Sequence, residues 1–200
     1  MLTLDESLEM LNIPKARFVL ADSVAKAQSA SKRFGFPVVL KLVSPRVIHK
    51  TEAKGVRVAR SPADVKAIAA AFLRKGSVLV QEQVDGVEFF LGIKLDPSFG
   101  HVLLAGIGGI FVEVYKDISF RVCPITKKDA SAMLDELKGK AVLEGVRGAK
   151  PVDKKKLIDA MVNLSQLPKS FPNIEELDVN PLFVNERGVK AVDARIVLKD

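Results

Sequence analysis

Tryptophan is absent from this chain, and tyrosine and cysteine each occur once, as Tyr115 and Cys123. A lone cysteine excludes an internal disulfide. It fits a reducing compartment, with Cys123 serving as a small hydrophobe in a strand. Aromatic residues are few apart from eleven Phe, and the basic residues are spread along the chain. Both features argue against a stacking platform for nucleic acid, so no nucleic-acid partner is expected. No run approaches the roughly eighteen apolar residues that a membrane helix needs. The opening Met1-Leu2-Thr3-Leu4-Asp5-Glu6 is acidic rather than signal-like. The expectation is a cytoplasmic protein with no membrane contact. Internal repeats, low-complexity tracts and long linkers are also missing.

What is present is 200 residues, 48% apolar and 28% charged, enough for one domain or two small lobes with a sizeable core. The net charge of +7 points to anionic partners without separating nucleotide phosphates from nucleic acid or an acidic subunit.

Along the chain, Thr3 to Glu6 forms a capping box for a short helix that Pro14 stops. Ser23 caps a second, alanine-rich helix ended by Gly35. Phe36 to Val43 reads as a buried strand interrupted by Lys41, which must snorkel, pair or reach a ligand; snorkelling is the commoner fate. The segment from Ser44 to Val58 is a polar loop between strands. It gathers Arg46, Lys50, Lys54 and Arg57 around His49, with Gly55 where the second strand begins. Such a loop is either the chain's most concentrated anion-binding signal or a solvated surface loop. Pro62 opens a third helix at its first position. Strands are expected at Ser77–Val84, Glu88–Leu95, His101–Leu104, Ile110–Val114 and Ser119–Cys123. The glycine-rich Ala105 to Ile110 falls between strands and is not a dinucleotide fingerprint. Thr126 and Asp153 cap two further helices, and Pro168 and Pro172 bracket the approach to a final hairpin. The pattern is α+β.

That hairpin, within 175–198, turns at Asn185-Glu186-Arg187-Gly188. If Val184 faces Val189, a constant register sets Asn180 opposite Asp193 and Asp178 opposite Arg195. All four then project from one face, while Leu177, Val179, Val192, Ala194 and Ile196 point into a core. Two readings fit. Oxygen ligands at that density suit a hard cation such as Mg²⁺ shared with substrate phosphates; alternatively the face is solvated and carries a cross-strand ion pair.

Six segments in order carry a family resemblance: Pro37-Val38-Val39-Leu40-Lys41; Ser44-Pro45 leading to His49-Lys50-Thr51; Glu88-Phe89-Phe90-Leu91-Gly92; Asp96-Pro97-Ser98-Phe99-Gly100; Gly108-Gly109-Ile110-Phe111-Val112-Glu113; and Leu177-Asp178-Val179-Asn180-Pro181. Together they resemble the ATP-grasp domain of ADP-forming acyl-CoA synthetases, and the length resembles the separate small β subunit of the archaeal enzymes. The resemblance implies the ATP-grasp fold: two α+β lobes with the nucleotide cleft between them, at residues 1–80 (with the basic loop 44–57) and 81–200 (with the hairpin 175–198). It implies the reversible reaction of acyl-CoA, ADP and phosphate to free acid, CoA and ATP through phosphohistidines.

By the same resemblance Lys41 contacts nucleotide phosphate, and the loop through Lys54 and Gly55, with Arg57, covers it. Family members often have a second glycine where this chain has Lys54. Glu82 and the backbone of Val84 hold adenine, and Glu88 the ribose. Asn180 and Asp193, with Asp178 close by, bind Mg²⁺ with ATP or ADP, and Arg195 steadies the phosphates. His49 is the phosphoryl carrier, a neutral imidazole being a competent nucleophile near pH 7. With no CoA-binding segment and no second suitable histidine in the sequence, the expected partner is an α subunit that binds CoA and carries a second phosphohistidine, in an α2β2 assembly. Two alternatives compete: a stand-alone ATP-grasp carboxylate–amine ligase and a non-catalytic nucleotide-binding module.

Overall fold

The computed structural model describes residues 1–44, 55–109, 114–146 and 148–199, which divide into two compact units. The strand expected at Ile110–Val114 falls largely outside the described residues.

The first unit takes residues 16–84 with residues 3–5. It is a four-stranded antiparallel sheet in the order β1 (Phe18–Ala21), β4 (Ser77–Glu82), β2 (Val38–Val43), β3 (Val56–Ala59). Helices α2 (Val24–Phe34) and α3 (Pro62–Phe72) supply its core. Ser23 and Ser61 cap them by accepting from Lys26 N and Asp64 N, which satisfies backbone donors a helix start leaves open. Gly35, at φ 82°, ends α2, and its N–H donates to Ser31 O. Alternation along β2 sends Val38, Leu40 and Leu42 into a cluster with Ala27, Ala30, Val65, Ala69 and Phe72. Strand β1 has only four residues and no turn signals around it, and sequence reading did not find it.

The second unit takes residues 85–200 with 1–2 and 6–15. Its six-stranded sheet runs β10 (Arg195–Leu198), β8 (Ile174–Asn185), β5 (Val87–Asp96), β6 (Gly100–Ile107), β7 (Ile118–Val122), with β9 (Gly188–Ala191) also on β8. Helices α4 (Lys127–Glu136) and α5 (Lys154–Ser170) pack on β6, β7 and β9. A full capping box between Thr126 and Asp129 opens α4, and Asp153 caps α5. Buried beneath them are Phe89, Leu91, Ile93, Leu103, Met133, Leu157 and Met161.

Several expectations are corrected. The N-terminal helix α1 (Leu4–Met10) lies mostly with the second unit, not with a lobe 1–80, because that segment bonds there. Leu2 N donates to Ile196 O, Asn12 Nδ2 to Asn163 O, and Ala191 N to Pro14 O. The helix ends before Pro14, where Lys15 Nζ reaches back to the carbonyls of Leu8, Glu9 and Leu11. The division after Val84, rather than 80, follows from β4 continuing to Glu82. Strand β6 runs on through Gly106 and Ile107, which pair with Phe90 and Phe89. Pro168 lies inside α5, buried in its last turn next to Leu164 and Leu167; one missing N–H there is outweighed by packing.

Candidate functional site

The hairpin register holds. Val184 pairs with Val189 and Leu182 with Ala191 on β9, and Asp178 pairs with Arg195 and Leu177 with Ile196 on β10. Between them the ladder loosens: residues 192–194 are not strand, and Val192 N donates to Pro181 O at 3.2 Å. Proline has no donor for a ladder, which accounts for the weakened pairing beside Pro181.

Two residues of β8, Asn180 and Pro181, stand against one residue of β5, Phe90. Phe89 pairs with Leu182, whereas Leu91 pairs with Val179. This bulge changes the phase of alternation. Leu177 and Val179 are buried before it, Leu182 and Val184 after it, and the facing chain answers with Ala191 and Val192 both buried. The core face is therefore continuous on both sides of the kink. Asp178, Asn180, Asp193 and Arg195 are left off it, partly or fully exposed, as alternation predicts.

Asp178 is the strained charge of this face. Its Oδ1 is buried with no hydrogen-bond partner among the described residues. Burial pushes its carboxyl up to about 6, opposed by Arg195 and reinforced by Glu176 and Asp193. Arg195 is opposite Asp178 in register, yet its guanidinium bonds diagonally to Glu176 Oε1 at 2.5 Å. Glu176, two residues before Asp178 on the same alternation, was not singled out from sequence although the same period would have found it. Among the described residues no group of three His, Cys, Asp or Glu side chains is placed to hold a metal; a third oxygen donor on this face would be the Asn180 amide. Two carboxylates, one with an orphaned buried oxygen, and an amide oxygen fit a hard divalent cation.

Glu88 is exposed at the start of β5, on the strand face opposite buried Phe89 and Leu91. Its carbonyl accepts from Gly108 N at 2.7 Å. A side chain on Gly108 would meet the Glu88 backbone at 3.1 Å, so glycine is needed for this close approach.

In the first unit Lys41 is only 5% exposed, so it does not snorkel. It pairs with Leu79 and Val56, on the sheet face away from the helix-covered cluster. Arg57 pairs with Leu40, which places it on the opposite face, so the sheet does not bring it to Lys41. Gly55 is buried, and its carbonyl accepts from Leu42 N at 2.8 Å. Glu82 is buried, and its carboxylate accepts from Arg17 N at 3.0 Å and Arg17 Nε at 2.7 Å. Sequence reading missed Arg17, and nothing in its spacing marks it. Val84 follows β4, partly exposed. His49 and Lys54 lie outside the described residues. His101 Nε2 donates to Ile174 O at 2.7 Å, tying β6 to the start of β8.

Residues 3–198 match the model of the ATP-grasp domain. The chain is 38% identical to the acetate–CoA ligase [ADP-forming] I subunit beta of Pyrococcus furiosus, over 96% of this chain and 88% of that one. It is 40% identical to the 4-hydroxybutyrate–CoA ligase [ADP-forming] of Nitrosopumilus maritimus, over 96% of this chain but 30% of that longer protein. Among solved structures it is similar to acetyl-coenzyme A synthetase 1 of Ca. Korarchaeum cryptofilum in complex with coenzyme A, Ca-AMPCP and HgCl+, with TM-score 0.94 and 37% identity, over 99% of this chain and 93% of that one. Another structure of that enzyme holds Mg-AMPPCP, with a phosphohistidine segment pointing towards the nucleotide binding site. Its TM-score is 0.87 at 37% identity, over 98% of this chain and 92% of that one.

Proposed function

Because the chain belongs to the ATP-grasp family of ADP-forming acetate–CoA ligase β subunits, we propose that it is the nucleotide-binding part of an enzyme interconverting acyl-CoA, ADP and phosphate with free acid, CoA and ATP. The observation that carries this reading is the face bearing Asp178, Asn180 and Asp193, where a buried carboxylate oxygen finds no hydrogen-bond partner among the described residues. Such an atom calls for an explanation, and a bound cation would supply one.

In this reading Asp178, Asn180 and Asp193 would hold Mg²⁺. When bound, the ion supplies charge neutralisation on phosphoryl oxygens. Arg195 exchanges its Glu176 partner for a nucleotide phosphate, and Lys41 offers its ammonium to another. Glu88 accepts from the ribose hydroxyls. The Glu82 carboxylate and its backbone N–H are both occupied by Arg17, so adenine is held by the backbone carbonyl of Glu82 and the backbone of Val84. Lys54 and Gly55 cover the phosphates; Arg57, on the other sheet face, is left out of the set.

His49 accepts the γ-phosphoryl group. A nitrogen lone pair of the neutral imidazole forms the N–P bond as the P–O bond to ADP breaks, and ADP leaves with that electron pair. A phosphohistidine segment is named for the Korarchaeum enzyme, which supports phosphoryl transfer through a histidine. The partner is an α subunit that binds CoA and carries a second phosphohistidine, in an α2β2 complex working in the cytoplasm; the subunit naming of the Pyrococcus relatives supports a partner. Incubating the assembled complex with γ-labelled ATP and Mg²⁺ is expected to label His49, and His49→Ala to abolish both label and turnover. A fully active His49→Ala complex would overturn the carrier role.

A further inference from the structure

Phe90 is the residue that the Asn180–Pro181 bulge opposes, and it projects from the same sheet face as Asp178. Its strand neighbours Phe89 and Leu91 are fully buried on the other side. On β6 it pairs with Gly106. Two residues along β5, Gly92 pairs with Asp178 on one side and Leu104 on the other. A side chain built on Gly92 would meet Phe90 Cζ at 2.8 Å, closer than atoms tolerate. The Phe90 ring therefore lies over Gly92, in the space where a side chain facing Asp178 would stand. Directly opposed residues place their β-carbons about 5 Å apart, so the end of the ring lies over the β5 residue that faces Asp178. Its root faces the bulge that carries Asn180.

Neither Phe90 nor Gly92 can donate or accept a side-chain hydrogen bond. A polar or branched residue at either position would give the Asp178 oxygen a partner or hold the ring away. Glycine at 92 also has φ outside the left-handed region, so backbone conformation does not call for it. The space it leaves for the ring accounts for it.

Resting on the cation-site reading above, we infer that Phe90 is a positioning residue for this site: its ring, seated on Gly92, walls water away from Asp178 and keeps that carboxylate free to hold a divalent cation. The wall acts through Asp178 and touches neither cation nor nucleotide.

Mn²⁺ bound with ADP, followed by electron paramagnetic resonance and water-proton relaxation, tests this. Phe90→Ala and Gly92→Ala are expected to weaken Mn²⁺ about tenfold, within the range for residues that orient metal ligands. Phe90→Ala is also expected to raise the relaxation effect of the bound ion on water protons. ADP affinity in EDTA stays within about twofold, and Phe90→Leu restores Mn²⁺ affinity to within about threefold of the parent. Circular dichroism confirms that the variants fold. If Asp178→Asn loses Mn²⁺ while Phe90→Ala and Gly92→Ala bind it as the parent does, the wall is wrong and the cation site stands. If Asp178→Asn also binds Mn²⁺ normally, the cation site itself is wrong.

Discussion

Asp178 ties physical chemistry to function at the scale of one residue. Its carboxyl is pushed up to about 6 by burial, so the folded chain binds a proton that the unfolded chain releases nearer the usual carboxylate value. The sign follows from proton linkage. Between roughly pH 4 and 6 the folded state holds more protons than the unfolded one, and stability falls as pH rises through that window. Above about 6 the ionised group is a standing cost, on the order of 3 kcal/mol. Asp178→Asn is therefore expected to melt higher than the parent at pH 8 in EDTA. The difference should shrink as pH is lowered towards 4. Adding Mg²⁺ at pH 8 should raise the melting temperature of the parent and leave Asp178→Asn unmoved. Differential scanning fluorimetry across pH, with and without Mg²⁺, reads all three.

At the scale of elements, the site depends on how strands are fastened. The bulge at Asn180–Pro181 adds one residue to β8, and the chain from Ala191 to Val192 changes phase with it. Without that matching change Asp193 would turn into the core. A second fastening holds β7. Asp117, 5% exposed just before that strand, accepts from Lys138 N and Gly139 N beyond the end of α4. On α4 itself, Glu136 accepts from Ser119 and Arg121. Asp117→Ala would leave two backbone donors without their acceptor, and the expected loss is about 2 kcal/mol of stability, measurable by urea unfolding. Thr126 and Asp153 show the opposite case, where local signals alone define a helix start. Both caps were readable because capping needs only residues within one turn.

At the scale of the molecule, the chain matches nearly all of a β subunit but under a third of a longer ligase. The chemistry proposed for it is correspondingly partial. Alone, with ATP, acetate, CoA and Mg²⁺, the chain is expected to bind nucleotide and form no acyl-CoA; with a CoA-binding α partner, turnover should appear. Coupled assay of ADP release against acyl-CoA formation separates the two, and acyl-CoA made by the chain alone would favour a self-contained ligase. Among the described residues no helix is long and apolar enough to cross a membrane.

Whatever is local or strictly periodic could be read from the residues alone. The helix caps, the turn at 185–188 and the hairpin register follow from neighbours and from the two-residue period of a strand. Asp178 and Arg195 were therefore paired correctly from residue numbers alone. Only the tertiary structure decided matters that depend on residues distant in sequence. It placed Lys41 and Arg57 on opposite faces, joined Arg17 to Glu82 across sixty-five residues, and attached the N-terminal segment to the second unit. It also buried the Oδ1 of Asp178. Burial is a sum over strands brought together by folding, and no single stretch of sequence contains that sum.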